Sequence, residues 1–444
     1  MQSPKTSTNQ SLNRTEKRVI RVAIIADEPL NWGSGKHYFP IILDSYSWIS
    51  SNIQYTFSVS YVHETDILNN SLTRSKFDVV LVPGGGVGDG HALAKGFLRS
   101  RKTKKWKKNL TNFIKYGGGY VGICGGAALL TGLKTGRSHQ KKFIEKLYHN
   151  SSLEISNVFS YYHHLALPIF YPFQYKYPEN IGAMNYVFSF KPGITIKKRA
   201  IFSAGASLDF PVKKDHPIFH DYPYDTLTMR WWGGPGFIVD SISKSQVDVI
   251  CKYPIKDLSE STRTRIYAWR YLGGLSGLIR GFIRSCNFIK KHNLSLNRLF
   301  VYSFYFAGNW MKTNNVINLH YENKPALVLE TFPNEHQGRI VLCATHPEYL
   351  IWHDGHIEEV EDKGYHCIAQ GFHQWRDIQI SEDKPLENLT ATWWLVRRLV
   401  AWAGKIPDKD LPPIAKEEYS EEIEELMKKE MFWDGTTLSQ INNI

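Results

Sequence analysis

One glycine-rich segment constrains the fold of this chain more than any other. It runs from Gly117 to Gly132 and reads GGGYVGICGGAALLTG. The apolar residues before Cys124 predict the end of a buried strand, and the alanines and leucines after it predict the first turn of a helix. Cys124 then lies on a sharp turn, which the flanking glycines permit because they carry no Cβ. Amide groups at the start of that helix would favour the thiolate, so the segment predicts a nucleophilic cysteine with a lowered pKa.

A base for this nucleophile is predicted far downstream. The segment Arg339 to Glu348, RIVLCATHPE, is an apolar strand that ends in His-Pro-Glu. Pro347 disfavours a helix at His346, and residues two apart in an extended chain point to the same side. We therefore expect Glu348 to bind one ring nitrogen of His346 and to leave the other for Cys124, as in catalytic triads on unrelated folds.

A third segment offers backbone amides near the predicted nucleophile. In Phe77 to Gly90, FDVVLVPGGGVGDG, an aliphatic strand runs into a proline and three glycines. Glycines leave the backbone N–H groups accessible at the end of such a strand. The N–H groups of Gly85, Gly86 and Gly125 are therefore candidates for an oxyanion hole.

The order of these three segments is similar to that of the class I glutamine amidotransferase superfamily. The resemblance implies a Cys-His-Glu triad formed by the cysteine, histidine and glutamate named above. A narrower resemblance adds RWWGGPGF at Arg230 to Phe237, the strand VDVICKYP and the closing GRIVLCATHPE. Together the segments resemble the amidotransferase-like N-terminal domain of eukaryotic biotin-protein ligases (BPL-N), over most of residues 18 to 255 and 322 to 404. No glycine- and arginine-rich biotinyl-adenylate loop is recognised, so biotin transfer is not expected.

The chain departs from the superfamily at two points. A working glutaminase commonly has glutamine two residues after the second elbow glycine, where this chain has Ala128. The stretch between Cys124 and His346 is much longer than a minimal amidotransferase domain needs, and no synthase domain follows. Glutamine is therefore not the expected substrate.

Three functional hypotheses remain. The leading one is a cysteine-dependent amidase or hydrolase that acts on a small-molecule amide or acyl substrate through a thioester, without a cofactor. The second, which Ala128 favours, is a non-catalytic ligand-binding or regulatory module of the BPL-N type. The third is a peripheral membrane or anionic-partner binder that works through residues 261 to 321.

The amino-terminal part of the chain, up to the glycine-rich segment, alternates strands and helices. Arg18 to Ala26 and Tyr55 to Val62 predict strands, whereas Tyr38 to Ser50 and Lys104 to Tyr116 predict helices. With the resemblance, this alternation predicts an α/β fold with a doubly wound, flavodoxin-like parallel sheet. Ligands of such sheets bind at the carboxyl ends of the strands, where Asp27 is a candidate residue of the substrate pocket.

Residues 150 to 255 are rich in aromatic residues and predict a mostly antiparallel, β-rich extension. The resemblance places the RWWGGPGF turn near the pocket. It makes Trp231, Trp232, Gly233 and Gly234 candidate pocket residues. The tryptophans fit a hydrophobic core equally well.

Residues 256 to 321 predict a basic helical insertion. From residue 261 to 321 the chain has nine Lys or Arg and no Asp or Glu. Apolar residues from Ile266 to Ile289 recur at approximately helical spacing, with arginines on other faces. Such a helix could contact an anionic membrane surface, an acidic partner or, least expected, nucleic acid. An ordinary insertion with a solvated basic face is the simpler interpretation.

Composition and cysteine usage narrow the class of protein. The net charge is +12 and 42% of the residues are hydrophobic, which is typical of a globular chain with a sizeable core. We expect no signal peptide and no transmembrane segment, because the apolar stretches are too short or interrupted by charges. Five cysteines without C-x-x-C spacing fit a reducing compartment, and we expect a cytoplasmic protein. Cys251 and Cys343, in apolar strands, are expected to be core residues.

No metal site is predicted. Four histidines follow the predicted triad, but their spacing matches no standard zinc pattern; they are His353, His356, His366 and His373.

Domain boundaries follow from these segments, although the segments give no oligomeric state. We expect a disordered tail over residues 1 to 17 and an amidotransferase-like domain in two parts, 18 to 255 and 322 to 404, with the insertion between them. Within the second part, Asn388 to Gly404 predicts a helix that ends at glycine and covers the sheet. A charged tail or helix, residues 405 to 444, follows.

Overall fold

A computed structural model describes fifteen parts of the chain: residues 16–27, 35–84, 101–137, 145–146, 148–150, 152–164, 206–231, 234–240, 246–255, 267–271, 274–291, 299, 310–316, 320–348 and 392–415. The strands are β1 (Glu16–Ile25), β2 (Ser47–Ser50), β3 (Ile53–Val62), β4 (Val79–Val82), β5 (Gly119–Ile123), β6 (Gly132–Arg137), β7 (Val158–His164), β8 (Ala206–Pro211), β9 (Thr226–Trp231), β10 (Gly236–Val239), β11 (Val247–Lys252), β12 (Tyr267–Tyr271), β13 (Trp310–Val316), β14 (Pro325–Thr331) and β15 (Arg339–Cys343). The helices are α1 (Gly35–Leu43), α2 (Glu64–Leu68), α3 (Arg101–Lys115), α4 (Gly125–Ala128), α5 (Gly274–Lys291) and α6 (Trp393–Ala403).

Eight strands form the central sheet in the order β11-β14-β15-β5-β4-β1-β3-β2. The strands from β15 to β3 in this order pair in parallel. The outer strands pair antiparallel, β2 with β3, β14 with β15 and β11 with β14. The chain is therefore a mixed α/β protein with a large, mostly parallel central sheet. Because β4, β5 and β15 are parallel neighbours, their carboxyl ends meet at one edge, as expected from sequence.

Continuous apolar runs form the middle of this sheet. All residues of β4 and β5 are buried, because strands covered on both faces have no solvated side. Helix α6 packs on β5, β15 and β4, and every residue of the helix is buried. The predicted helix is thus confirmed from Trp393 to Ala403, with Gly404 as the residue after its end; residues 388–391 lie outside the described part.

Two buried arginines join helix α6 to helix α1 and to the 3-10 turn Pro217–Phe219. The Nε of Arg397 donates to the carbonyl of Ile42 at 2.8 Å, and Nη1 of Arg398 donates to the carbonyl of Ile218 at 2.8 Å. Burial lowers the pKa of Arg398 to about 10. Backbone carbonyls therefore satisfy guanidinium groups that would otherwise be costly to bury.

The helix predicted from Tyr38 to Ser50 is wrong in its second half. Helix α1 ends at Leu43, and β2 forms a two-residue hairpin with β3. The turn residues Ser51 and Asn52 both have positive φ, 48° and 63°, as a type I′ turn requires. Asparagine tolerates this conformation, but a Ser-Asn pair is a weaker hairpin signal than Asn-Gly.

The described strands of the β-rich extension pair mostly antiparallel, and the one parallel partner, β6, lies before residue 150. Strand β7 pairs antiparallel with β10 but parallel with β6, whereas β8 and β9 form an antiparallel pair. Strand β11 joins the central sheet. The prediction of a mostly antiparallel extension therefore holds for the pairs β7–β10 and β8–β9.

The basic insertion contains strands as well as a helix. Strands β12 and β13 pair antiparallel, and the helix α5 starts only at Gly274. The predicted helical stripe is thus wrong over Tyr267–Tyr271, where aromatic residues at every second position favour a strand. Both ends of the chain, 1–15 and 416–444, lie outside the described residues, and β1 starts at Glu16, inside the predicted tail. In the described part of the chain, no helix combines the length and apolarity needed to cross a bilayer.

Arg21 and Asp78 join β1 to the start of β4. The Nε and Nη2 of Arg21 donate to the two carboxylate oxygens of Asp78, each at 3.0 Å, and the backbone N–H of Arg21 donates to Oδ2 at 2.9 Å. Burial alone would raise the pKa of Asp78, but the hydrogen bonds and the charge of Arg21 outweigh it and lower that pKa. The folded state therefore holds the ionised carboxylate.

We expect Asp78→Asn to lower the free energy of unfolding at pH 7 by about 1 to 2 kcal/mol, because it removes a bidentate charged pair. A lowered folded-state pKa means that this stabilisation is present above the unfolded pKa and is lost as pH falls through the folded pKa. The difference from wild type in urea unfolding should therefore shrink below about pH 4. Asp248→Asn, which alters an exposed pair with Lys213 at 3.9 Å, is the control and should change stability by less than about 0.5 kcal/mol. A pH-independent difference for Asp78→Asn would contradict this account.

Candidate active site

Cys124 occupies a strained turn at the carboxyl end of β5. Its φ is 50° and its ψ is −113°, which is rare for a residue with a Cβ. The turn is held because the backbone N–H of Cys124 donates to the carbonyl of Cys343 at 2.7 Å and its own carbonyl accepts from Ala127 at 3.0 Å. Strain of this kind costs about 1 to 3 kcal/mol and is typical of nucleophile elbows. Cys124 is 4% exposed.

Glycines let the loop after β4 pack directly on this turn. Gly84 has a φ of +69°, and a Cβ there would lie 2.2 Å from the carbonyl oxygen of Ile123 and 3.0 Å from the N of Gly125. A Cβ on Gly126 would lie 2.2 Å from the carbonyl oxygen of Val82. Any side chain at these positions would separate the loop from the turn. The candidate amide of Gly125 thus lies beside the loop.

The remaining predicted amides, Gly85 and Gly86, lie outside the described residues. The structure therefore places Gly125 next to Gly84 and leaves the other two members of the predicted oxyanion hole as a prediction.

The helix after Cys124 is much shorter than the sequence suggests. Helix α4 has only four residues, Gly125–Ala128, because the next carbonyls pair elsewhere. The carbonyl of Leu129 accepts from the N–H of Leu153 at 2.7 Å, and that of Leu130 accepts from Ile155 at 3.0 Å. One turn of helix carries little macrodipole. This helix therefore adds little to the activation of Cys124, which stays a prediction.

His346 and Glu348 form a completely buried hydrogen-bonded pair. Both are 0% exposed, and Nδ1 of His346 lies 2.7 Å from Oε1 of Glu348. An ionised carboxylate only accepts, so Nδ1–H donates and Nε2 is the nitrogen that can take up a proton. This is the geometry expected from the His-Pro-Glu spacing.

The backbone of Arg230 and the side chains of two residues at the start of α6 hold this pair in place. The backbone N–H of His346 donates to the carbonyl of Arg230 at 2.8 Å. The Oγ1 of Thr392 donates to the carbonyl of Pro347 at 2.6 Å, and Nε1 of Trp393 donates to the carbonyl of Glu348 at 2.9 Å. The first residue of α6 and the residue before it thus fix the backbone of the His-Pro-Glu segment by hydrogen bonds. Sequence reasoning missed these residues, because nothing local marks a tryptophan N–H that finds its partner 45 residues away.

Strand pairing brings the cysteine and the histidine to the same edge of the sheet. Ile123, the last residue of β5, is registered with Cys343, the last residue of β15, in parallel. Cys124 is one residue beyond its strand and His346 is three residues beyond its own. Both side chains are buried at the shared carboxyl edge.

The RWWGGPGF turn packs against the approach to His346. A Cβ on Gly234 would lie 1.8 Å from the carbonyl oxygen of Ala344. Nε1 of Trp231 donates to the Gly234 carbonyl at 3.0 Å, and the Tyr253 hydroxyl donates to the carbonyl of Pro235 at 2.9 Å. Trp231 is completely buried, as expected for a core residue. Trp232 and Gly233 lie outside the described residues.

Tyr253 lies within electrostatic reach of the candidate nucleophile. Burial raises the pKa of its hydroxyl well above the usual range, and the nearby Tyr321, Cys124 and Cys343 add to this effect. The neutral Tyr253 hydroxyl donates to the Pro235 carbonyl and so helps to fix the RWWGGPGF turn. Tyr253 belongs to the VDVICKYP segment of the narrower resemblance, but its place beside the candidate nucleophile was not predicted from sequence.

Asp27 lies at the carboxyl end of β1 but has structural partners. Its Oδ1 is 2.9 Å from Nδ1 of His63, and its Oδ2 accepts from the backbone N–H of Glu64 at the start of α2. A carboxylate is a common cap for a helix N-terminus. The structure thus shows the Asp27 carboxylate bound to the first residue of α2 and to the residue before it.

The other described cysteines of the sheet are core residues, as predicted. Burial raises the pKa of Cys251 well above its usual value and that of Cys343 to about 12, which makes both thiols unreactive. Among the residues that the structure describes, no three His, Cys, Asp or Glu side chains are grouped so as to hold a metal ion. The four histidines from His353 to His373 lie outside that part of the chain.

Comparisons with known proteins add no relatives. No family model matches the sequence, and no curated protein matches it significantly. The resemblance to the amidotransferase superfamily and to BPL-N domains therefore depends on the motifs and their order. It stays a prediction.

Gly234→Ala should lower the free energy of unfolding by about 2 kcal/mol or more, because the added Cβ overlaps the Ala344 carbonyl and must displace the backbone before His346. Urea unfolding measures this effect. Gly236→Ala is the matched control, since its Cβ would meet mainly the flexible Lys324 side chain, at 3.0 Å. Equal stability of the two variants would contradict the close approach of the turn to the strand.

Proposed function

We propose that this protein is a cysteine-dependent amidase or hydrolase of the class I glutamine amidotransferase-like type. The observation that carries the proposal is the buried hydrogen bond between His346 and Glu348, at the end of the strand that pairs with the strand bearing Cys124. Hydrogen bonds to the backbone of residues 346 to 348 hold the segment that carries the pair, and they fix the geometry that such a buried pair needs. The proposed substrate is a small-molecule amide or acyl compound in the cytoplasm.

The proposed reaction has two stages. Nε2 of His346 takes the proton of the Cys124 thiol as Sγ attacks the substrate carbonyl carbon, and the carbonyl π electrons move to oxygen. When the C–N or C–O bond breaks, the leaving group takes the proton from His346 and a thioester remains. His346 then takes a proton from water as the water oxygen attacks the thioester carbon; the C–S bond breaks, the departing Cys124 sulfur takes the proton from His346, and the acid leaves. Glu348 keeps the imidazole in the required tautomer and stabilises its charged form.

Backbone amides stabilise the oxyanion in this proposal. The N–H of Gly125, the residue after the nucleophile, is the first donor, and Gly85 and Gly86 are the proposed others. Each such donor contributes roughly 3 to 4 kcal/mol of transition-state stabilisation in enzymes that use one. The close packing of Gly84 on the elbow supports this assignment.

The strand order supports the proposal that the central sheet is flavodoxin-like. Counted in chain order, the parallel strands β3-β1-β4-β5-β15 run 2-1-3-4-5, the order of flavodoxin-like sheets. Such sheets bind ligands at the carboxyl ends of their strands. The proposed triad lies at that edge.

A second proposal, a ligand-binding module without turnover, is favoured by the burial of the site. Cys124 is only 4% exposed, and Ala128 occupies the position of a common glutaminase residue. Turnover of a bulky substrate would require this edge to open. Covalent capture of small electrophiles separates the two proposals.

Labelling with an electrophilic amide analogue tests the enzyme proposal. We expect one label per chain at Cys124, located by peptide mass spectrometry, at a rate that falls about 10²- to 10⁴-fold in His346→Ala because the general base is lost. Cys124→Ser should abolish the label. All variants should carry Cys286→Ser, because Cys286 is the described cysteine whose thiol is exposed. Equal labelling of wild type and His346→Ala, with folding checked by circular dichroism, would contradict the enzyme proposal and favour the binding module.

A further inference from the structure

Helix α5 presents its large apolar side chains to solvent. Leu275, Ile279, Phe282 and Ile283 are 62%, 53%, 50% and 53% exposed. Their spacing, i, i+4, i+7 and i+8, places them on one stripe of the helix. A buried stripe is the usual arrangement for residues of this kind in a folded domain. An apolar partner that covers these side chains would therefore have to come from outside the described part of the chain.

The opposite side of helix α5 is buried. Gly277, Gly281 and Ser285 are buried and lie four residues apart on a second stripe. The Oγ of Ser285 donates to the carbonyl of Gly281 at 2.8 Å, so even its polar group is satisfied within the helix. The small residues, and not the large apolar ones, therefore form the side that packs inward. This orientation leaves the large apolar stripe turned outward.

Basic side chains border the outward stripe. Arg280 and Arg284 are exposed between the apolar and the buried stripes, and Lys290 is exposed near the end of the helix. Helix α5 contains no Asp or Glu, and neither does the whole span from 261 to 321. A helix of 18 residues is about 27 Å long, so the mixed apolar and basic surface is extended.

We propose that helix α5 docks in the plane of an anionic phospholipid surface. Large apolar side chains enter the boundary between headgroups and acyl chains, and the flanking arginines bind lipid phosphates, which is the physical signature of an interfacial helix. Nucleic acid would use the arginines but not the four apolar side chains. An acidic protein would leave the apolar stripe without a partner of matching chemistry. The proposal is independent of the proposed function, because it concerns a different surface.

Sedimentation of the 444-residue chain with vesicles tests the proposal. We expect binding to vesicles of phosphatidylcholine and phosphatidylserine mixed roughly two to one, weak binding to phosphatidylcholine alone and loss of binding as salt rises. Arg280→Gln with Arg284→Gln should weaken binding about 30-fold, at about fivefold per basic residue. Ile279→Ser with Phe282→Ser and Ile283→Ser should weaken it by at least as much, since it removes the inserted side chains.

A matched control removes two exposed lysines elsewhere. Lys213→Gln with Lys214→Gln lowers the net charge by the same amount, and these side chains are 44% and 45% exposed. This control should bind vesicles within about threefold of wild type. Equal losses in the control and the Arg280/Arg284 variant would overturn the proposal, because they would indicate unspecific attraction by net charge. The proposal would also be overturned if the wild-type protein bound RNA but not vesicles. A third contradicting result would be a wild-type protein that does not bind vesicles but forms a dimer, if that dimer dissociates in the variant Ile279→Ser with Phe282→Ser and Ile283→Ser.

Discussion

The parallel pairing of β5 with β15 is the interaction on which the rest of the site depends. Ile123 is registered with Cys343, and the N–H of Cys124 donates to the Cys343 carbonyl at 2.7 Å. Two segments that are far apart in the sequence thereby end side by side. A slip of one residue in this register would turn every side chain of the strand to the other face. Cysteine and histidine share one edge because that register is fixed.

Two loops approach β5 and β15 so closely that their glycines leave no space for a side chain. Gly84 and Gly126 bring the loop after β4 against the elbow, and Gly234 brings the aromatic turn against Ala344. On the other side, Thr392 and Trp393 donate to the carbonyls of the His-Pro-Glu segment. These contacts stabilise the strained Cys124 turn, whose conformational cost must be offset by its surroundings. A rigid, water-poor site of this kind is suited to orient an imidazole and strengthens its hydrogen bonds.

The sequence predicted the elements whose signals are local. Strand β4 is a continuous apolar run, and β1, β5 and β15 contain apolar runs over part of their length. The His346–Glu348 contact follows from the spacing of two residues around a proline. The features that the sequence did not predict depend on residues far apart in the chain. Helix α4 stops after one turn because distant amides take its next carbonyls. The side of α5 that is buried carries small residues and not the large apolar ones, which no local pattern foretells. Likewise, no local pattern distinguishes Trp231 as a core residue from a pocket residue, because burial depends on what packs against it.

The most direct test of the central claim is proton NMR of the His346 imidazole. A buried Nδ1–H that donates to a carboxylate gives a resolved downfield resonance, which is assigned by its loss in His346→Gln. The account predicts that this resonance is present in wild type, is lost in Glu348→Ala, and shifts when Cys124 alone is alkylated in a Cys286→Ser background. A resonance that does not respond to alkylation of Cys124 would contradict the claim that the two side chains form one site.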